Sequence, residues 1–329
     1  MVDYVPAGIA GIGHFVPDQV ITNDYFTEFL ETSDEWIQQR TGIVERRWLK
    51  EGEMPSDMFV GAAKIAMEDA GVGPDDIDLV VVGSVSGDYT APSAGCIVQA
   101  RLGLNKCGAF DVAAACSGFM YAMAVGRSMV GTGQYKNVLV IGGDAMSRMI
   151  DHEDRTTCVL FGDGAGAVVL QPHETCQRGL IEDIHIGADG EGAKYILRPR
   201  GGAGDPMTHE ILDERSHYIQ MEGRAVYRFA ASKMIWLLDW AMHEQDPAKL
   251  GWMIPHQMNR RILEQATSHL GIPPEKVLHN IAKYGNTSSA SVPILMSEGY
   301  HKGLFQKDTF LVLGAFGAGL TWSGARILW

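Results

Sequence analysis

Two hydrophobic patterns share this chain. Short runs of unbroken apolar residues mark strands covered on both faces. Longer stretches in which apolar and small residues recur every three or four positions mark helices with one buried side. Residues 7–13 (AGIAGIG) read as a first, glycine-rich buried strand. Residues 20–23 lead into a short helix capped by Asn23, and Thr32 and Glu35 have capping-box spacing. That second helix ends near Gly42, and Glu45, Arg46 and Arg47 read as a charged surface segment. Residues 58–70 predict a helix closed by Gly71 and Pro74. An acidic turn at 75–78 precedes the wholly apolar strand 79–83. The turn at Ala91, Pro92 and Ser93 opens a helix that Gly103 closes. Residues 108–112 then read as a buried strand, and Phe119, Met120, Met123, Ala124 and Val130 place a helix behind it. A strand at 137–143 and the stretch 157–170 complete this half.

The second half echoes the first. Gly164 to Leu170 (GAGAVVL) has a counterpart in Gly317, Ala318, Gly319 and Leu320 followed by 325–328. Trp252, Met253 and Ile254, before Pro255 and His256, echo 79–82. A helix at 261–270 closes on Gly271 as the earlier one closes on Gly103, and 223–244 reads as a long helix. Between the halves, 173–213 is polar, glycine-rich and aperiodic, as expected of an irregular connection with edge strands. The expectation is a duplicated α/β unit: a first half over 1–172, a connecting segment over 173–222 and a second half over 223–329, with a site between the halves.

Composition narrows the function. A chain of 329 residues with 46% hydrophobic and 20% charged residues can bury a substantial core. Its net charge of -13 argues against general nucleic-acid binding, and an acidic partner would need a local basic patch. Five scattered cysteines form neither a C-x-x-C pair nor a zinc-site spacing, which suits a reducing compartment. The N-terminus lacks the pattern of a signal peptide, and no apolar run reaches membrane-spanning length, so a cytoplasmic, soluble protein is expected. Residues 161–166 (FGDGAG) precede an apolar strand rather than opening a helix, unlike a dinucleotide fingerprint. No metal or redox cofactor is expected.

The candidate chemistry centres on Cys116, which sits among small residues where the strand pattern gives way to the helix pattern. At a helix N-terminus, free N–H groups and the macrodipole lower a thiol pKa. The plainer reading is an inert core cysteine. His256 follows a short apolar run, and Asn286 lies in a Gly/Ser/Thr loop ahead of helix-like residues 292–298. Taken singly, these are a helix-flanking histidine and a turn residue. Together with Cys116 they form a nucleophile, a neutral imidazole and an amide donor.

Residues 113–119 (AAACSGF), 256–262 (HQMNRRI), 285–288 (GNTS) and 317–322 (GAGLTW) resemble the β-ketoacyl-acyl carrier protein synthase III family of thiolase-like condensing enzymes. The likeness spans essentially the whole chain, including 33–37 and 161–166. It implies a thiolase-like duplicated fold layered α-β-α-β-α, and a homodimer. It also implies decarboxylating condensation of an acyl-CoA primer with malonyl-acyl carrier protein through an acyl-enzyme on Cys116, with coenzyme A thioester as substrate and no resident cofactor. His256 and Asn286 would steady the enolate, and the backbone N–H groups of Cys116 and Ala318 the oxyanion. By the same match, Trp36 and Arg155 would sandwich the adenine of coenzyme A, and Arg40 and Asn259 would lie near its phosphates and pantetheine arm. Ala91, Met146 and Phe161 would shape the acyl pocket. The small Ala91, where acetyl-preferring members are bulky, implies a primer longer than acetyl. Arg224, Arg228, Arg260 and Arg261 are candidates for a patch facing the acidic carrier, against the plainer reading of solvated helix faces. Two alternatives stand beside this: a related acyltransferase or condensing enzyme of specialised metabolism with another acceptor, and a catalytically silent carrier-binding partner.

Overall fold

In the computed structural model, which describes residues 4–104, 107–243, 245–258, 268 and 272–329, the first half builds a five-stranded mixed sheet. Its strands are β1 (Ala7–Phe15), β2 (Leu79–Gly83), β3 (Gly108–Val112), β4 (Val138–Ala145) and β5 (Asp163–Pro172), in the spatial order β1-β5-β4-β2-β3. β2 runs parallel to β3 and β4, whereas β5 is antiparallel to β4 and β1. The second half forms β6 (Leu180–Ala188), β7 (Leu250–Pro255), β8 (Phe310–Gly317) and β9 (Thr321–Leu328) in the order β7-β8-β9-β6. Here β7 is parallel to β8, and β9 is antiparallel to β8 and β6. Read from β6, the second sheet repeats the first in order and direction: β6, β9, β8 and β7 stand for β1, β5, β4 and β2. A parallel bridge from Met253 to Val277 takes the place of β3. The duplication expected from weak glycine-alanine echoes is thus explicit in the topology.

Among the described residues, six longer helices complete the layers: α1 (Asp34–Thr41), α2 (Pro55–Ala70), α3 (Ala94–Arg101), α4 (Gly118–Gly131), α5 (Gly223–Met242) and α6 (Ser291–His301). α4 and α6 lie between the sheets. Phe119, Met120 and Met123 of α4 and Val292, Leu295 and Met296 of α6 join one core with Val81, Val140 and Val168 of the first sheet and Leu311, Leu313 and Ile327 of the second. Met58, Phe59, Ala62 and Ala66 of α2 cover the outer face, against Val80, Val82, Leu139 and Ile141. Val81 faces inward and its neighbours outward, so both faces of β2 are buried, which is why its sequence is unbroken apolar. Met234, Leu237, Leu238 and Ala241 of α5 cover the second sheet at Phe310 and Val312. The result is the α-β-α-β-α layering. A Cβ on Gly83 would stand 2.3 Å from the Gly118 backbone, so glycine at the end of β2 lets the N-terminus of α4 seat on the sheet.

Three local expectations need correction. Residues 108–112 are not a buried strand: β3 is the outer strand of its sheet, and its residues range from half-buried to exposed. The helix at 34–41 is capped by Ser33, whose hydroxyl accepts from Trp36 N–H at 3.1 Å, rather than by Thr32. Glu45, Arg46 and Arg47 are not a surface segment. They belong to a short strand (Glu45–Trp48) paired with Gln19–Thr22, and alternation turns Arg46 inward, where it is fully buried. Its guanidinium donates to Ile21 O, Asn23 Oδ1 and Val159 O and lies 4.8 Å from the Phe26 ring centre, and burial pulls its pKa down to about 10. The stretch between the halves supplies an edge strand, as expected: the nine-residue β6 is outermost in the second sheet. The helix expected at 261–270 lies almost entirely outside the described residues. Among the described residues, no helix is long and apolar enough to cross a membrane.

Candidate active site

Cys116 sits in a single turn (Ala115–Ser117) that joins the end of β3 to α4. Ala115 before it adopts a left-handed φ of 47°, an uncommon conformation for a side chain with a Cβ and one that recurs at functional sites. The turn leaves the Cys116 N–H in the first helical turn, where N–H groups lack intrahelical acceptors. Gly317, at the end of β8, closes on it. A Cβ there would lie 2.8 Å from both Cys116 N and Ala114 O, so only glycine lets this loop from the second half reach the Cys116 turn. The Thr321 hydroxyl ties the two together, donating to Ala114 O at 3.1 Å.

His256 follows β7 directly and is 1% exposed. Its backbone N–H donates to Gly314 O at 2.7 Å. Gln257 beside it is a clamp: its N–H donates to Ser291 Oγ at 2.6 Å, and its side-chain oxygen accepts from Asn280 N–H and Ile281 N–H. Burial drives the His256 pKa down to about 3, so the imidazole is neutral, as the sequence reading requires. Among the described residues its Nδ1 meets no hydrogen-bond partner. Asn286 is held from both sides, its N–H donating to Leu160 O at 2.8 Å and its C=O accepting from Gly162 N–H at 3.0 Å. Its Oδ1 accepts from Ser288 N–H at 2.9 Å. A backbone N–H can only donate, so this bond fixes the amide flip and leaves the NH2 as the free end.

The three side chains share one cavity of about 200 Å³, whose wall includes Cys116, His256, Asn286, Phe161, Met258 and Ala318. A second cavity, of about 210 Å³, also reaches Cys116 and is lined by Met146, Met149, Phe161, Ile219, Ser288 and Arg198 among others. Met146 and Phe161 thus both line this second cavity, whereas Ala91 is exposed and lines neither cavity.

The thiol also departs from expectation. Although the residue keeps part of its surface on the cavities, the surrounding protein desolvates the sulfur and pushes its pKa up to about 12. The nearby Asp144 carboxylate adds to the rise, and the Ser288 hydroxyl opposes it. Asp144 is a site residue that the sequence did not reveal. Fully buried, it accepts from Ser84 Oγ at 3.0 Å, Ser86 Oγ at 2.7 Å, Val85 N–H at 2.9 Å and Ser289 N–H at 3.2 Å. It thereby locks the ends of β2 and β4 to the Asn286 loop. Ser288 in that loop carries a left-handed φ of 52°. No sequence pattern marks these contacts, because most of them join residues far apart in the chain.

Arg155 and Arg40 both gather at Trp36, with guanidinium carbons 5.0 and 5.8 Å from the ring centre. A flat base needs roughly 3.5 Å on each face, about 7 Å in all. Trp36 and Arg155 are therefore closed on each other and leave no room for a flat base between them in this structure. Arg224 and Arg228 are exposed on the first turns of α5, whose Gly223, Val226 and Tyr227 line the cavity that holds Cys116. Asn259, Arg260 and Arg261 lie outside the described residues.

Comparison with known proteins decides the family. Residues 110–190 match the model for 3-oxoacyl-[acyl-carrier-protein (ACP)] synthase III, and 241–329 match the model for its C-terminal part. The chain is 44% identical to the beta-ketoacyl-[acyl-carrier-protein] synthase III of Caldanaerobacter subterraneus subsp. tengcongensis, over 100% of this chain and 99% of that one. The chain belongs to the β-ketoacyl-acyl carrier protein synthase III family. Among solved structures, the 3-oxoacyl-[acyl-carrier-protein] synthase III of Aquifex aeolicus superposes with a TM-score of 0.90 at 38% identity, covering 98% of this chain and 100% of that one. The priming beta-ketosynthase of the R1128 polyketide pathway gives 0.90 at 30% identity, covering 100% and 98%. Family members thus share the thiolase-like, duplicated architecture described above, and the protein is a condensing acyltransferase of this class.

Proposed function

We propose that the protein condenses an acyl-CoA primer with malonyl-acyl carrier protein, using Cys116 as nucleophile and His256 and Asn286 as enolate donors. The observation that carries this is the single cavity onto which all three side chains open, two from one half of the chain and one from the other. In the first stage the Cys116 sulfur attacks the thioester carbonyl. The S–C bond to Cys116 forms, the bond to the CoA sulfur breaks, and the thiol proton passes to the departing CoA. The N–H groups of Cys116 and Ala318 are assigned to the tetrahedral oxyanion. In the second stage the malonyl thioester loses CO2. The enolate oxygen takes hydrogen bonds from His256 Nε2–H and the Asn286 NH2, each worth roughly 3 kcal/mol by analogy with oxyanion donors. The enolate carbon attacks the acyl group, the new C–C bond forms, and Cys116 leaves as thiolate to be reprotonated. A neutral imidazole suits this role, because no proton need move at His256, and the chemistry asks for no resident cofactor.

Trp36, Arg40, Arg155 and Asn259 are assigned to coenzyme A, with Arg155 opening on the ring of Trp36 to admit the base. Arg224 and Arg228, with Arg260 and Arg261, are assigned to the carrier. The apolar second cavity supports a primer longer than acetyl, independently of Ala91. The exposed outer strand β3, with Val85 and Tyr89 also exposed, supports a homodimer, which native mass spectrometry would detect. The likeness to a priming ketosynthase of a polyketide pathway supports a second reading, in which the same acyl-enzyme serves specialised metabolism.

Intact-protein mass spectrometry tests the scheme. Acetyl-, butyryl- and octanoyl-CoA should load an acyl group on the wild type and none on Cys116→Ala, and malonyl-carrier should then discharge it to a β-ketoacyl product. An adduct that malonyl-carrier leaves untouched would favour a different acceptor.

A further inference from the structure

The second cavity is apolar on nearly every side, built from Val85, Met146, Met149, Ile196, Leu197 and Ile219, yet it has one charged wall residue, Arg198. Such a cavity has no need of a guanidinium to hold a hydrocarbon. Arg198 Nε donates to His217 O. Among the described residues it has no ion-pair partner. Its neighbours are different: Arg200 pairs with Asp205 and Glu214, and Arg215 with Asp151 and Glu153. Arg198 is exposed as well as lining the cavity, so it stands at the cavity's solvent edge, and in a chain of net charge -13 no carboxylate among the described residues pairs with it.

The surroundings do not cancel it. The adjoining cavity shares Val85, Met149 and Arg198 with this one and adds Arg148 and Asp88. Arg148 donates to the Lys50 and Glu53 carbonyls, and Asp88 is engaged by the N–H and hydroxyl of Ser56. The remaining N–H groups of Arg198 form a planar fork matched to a carboxylate.

We propose that Arg198 selects a primer whose far end carries a carboxylate, the CoA monothioester of a dicarboxylic acid, with its thioester at Cys116 and its free acid on the guanidinium. This rests on the condensing reading above and adds the class of primer. The loading step is the one already described: the acyl group moves from CoA to the Cys116 sulfur, CoA leaves as the thiol, and the distal carboxylate is unchanged.

The test compares kcat/KM for Cys116 loading by succinyl-, glutaryl- and adipyl-CoA with that of unbranched monoacyl-CoA esters of matched length, on the full-length protein. In the wild type at least one diacid should outrun its matched monoacid. Arg198→Leu should lower that diacid-to-monoacid ratio at least about tenfold, and Arg198→Lys, which keeps the charge but not the fork, should recover part of it. Raising salt should lower the ratio in wild type and leave it flat in Arg198→Leu. If monoacids load well, diacids load poorly and the ratio ignores Arg198, the carboxylate inference is wrong while the condensing reading stands. If neither series loads Cys116, both are wrong.

Discussion

At the scale of single residues, the decisive feature is that Cys116, the proposed nucleophile, rests as a thiol. Burial raises the Cys116 pKa to about 12, so its thiolate fraction should climb through the whole accessible pH range. Alkylation of Cys116 by iodoacetamide, followed by peptide mass spectrometry to separate it from the exposed Cys96, should therefore rise about tenfold per pH unit between about pH 6.5 and 9. A plateau near neutrality would mean that the helix N-terminus overrides desolvation and that the thiolate is already formed. Cys116, His256 and Asn286 were legible in the sequence because each lies where a strand pattern ends and small or polar residues begin, a change that local reading can see. Asp144 and Arg198 were not. Asp144 reads as one more acid after a buried strand, and only folding brings Ser84, Ser86 and Ser289 onto it. Arg198 lies in an aperiodic, polar stretch that gives no sign it will stand at the edge of an apolar cavity.

At the scale of elements, α5 does two jobs with two faces. Val226, Tyr227 and Ala230 wall the cavity that holds Cys116, while Arg224 and Arg228, one turn apart, are exposed beside it. An acidic carrier docked on this face would present its arm to the cavity, whereas free acyl-CoA would not depend on it. Reversing both charges, Arg224→Glu with Arg228→Glu, should raise KM for malonyl-carrier about tenfold or more and leave Cys116 loading by acyl-CoA, the comparison, unchanged. An unchanged KM would return these arginines to the status of a solvated helix face. The helix was legible from its apolar spacing. Elements at edges were less so: the apolar character of 108–112 suggested burial, but its place at the end of the sheet leaves it part-exposed. The charged run at 45–47 suggested solvent, but a two-residue alternation buries Arg46 among carbonyls. In both cases sheet position outweighs composition, and position is not written locally.

At the scale of the whole molecule, the two halves repeat one another yet do not have separate interiors. The largest core contains Val81 and Val140 from the first sheet, Leu311 and Leu313 from the second, and Phe119 and Leu295 from the helices between them. Removing either half would strip the partner face from α4 and α6 alike. At roughly 25 cal/mol per Å² of apolar surface, exposing even a few side chains of this layer costs several kcal/mol, comparable with the net stability of a typical domain. A chain of this length often unfolds through intermediates, but here no boundary exists along which one half could open and leave the other intact. The active site reports on the same boundary, since Cys116 comes from one half and His256 and Asn286 from the other. Heating should therefore give one calorimetric transition, with the capacity of Cys116 to take an acyl group lost at the same temperature as the circular-dichroism signal. If acylation capacity vanished well below a second, separate transition, the halves would be independent domains and the shared helical layer would not be the element that joins them. Coincidence of the two would mean that the duplication has been fused into one cooperative unit, with Cys116, His256 and Asn286 placed on the seam that fusion created.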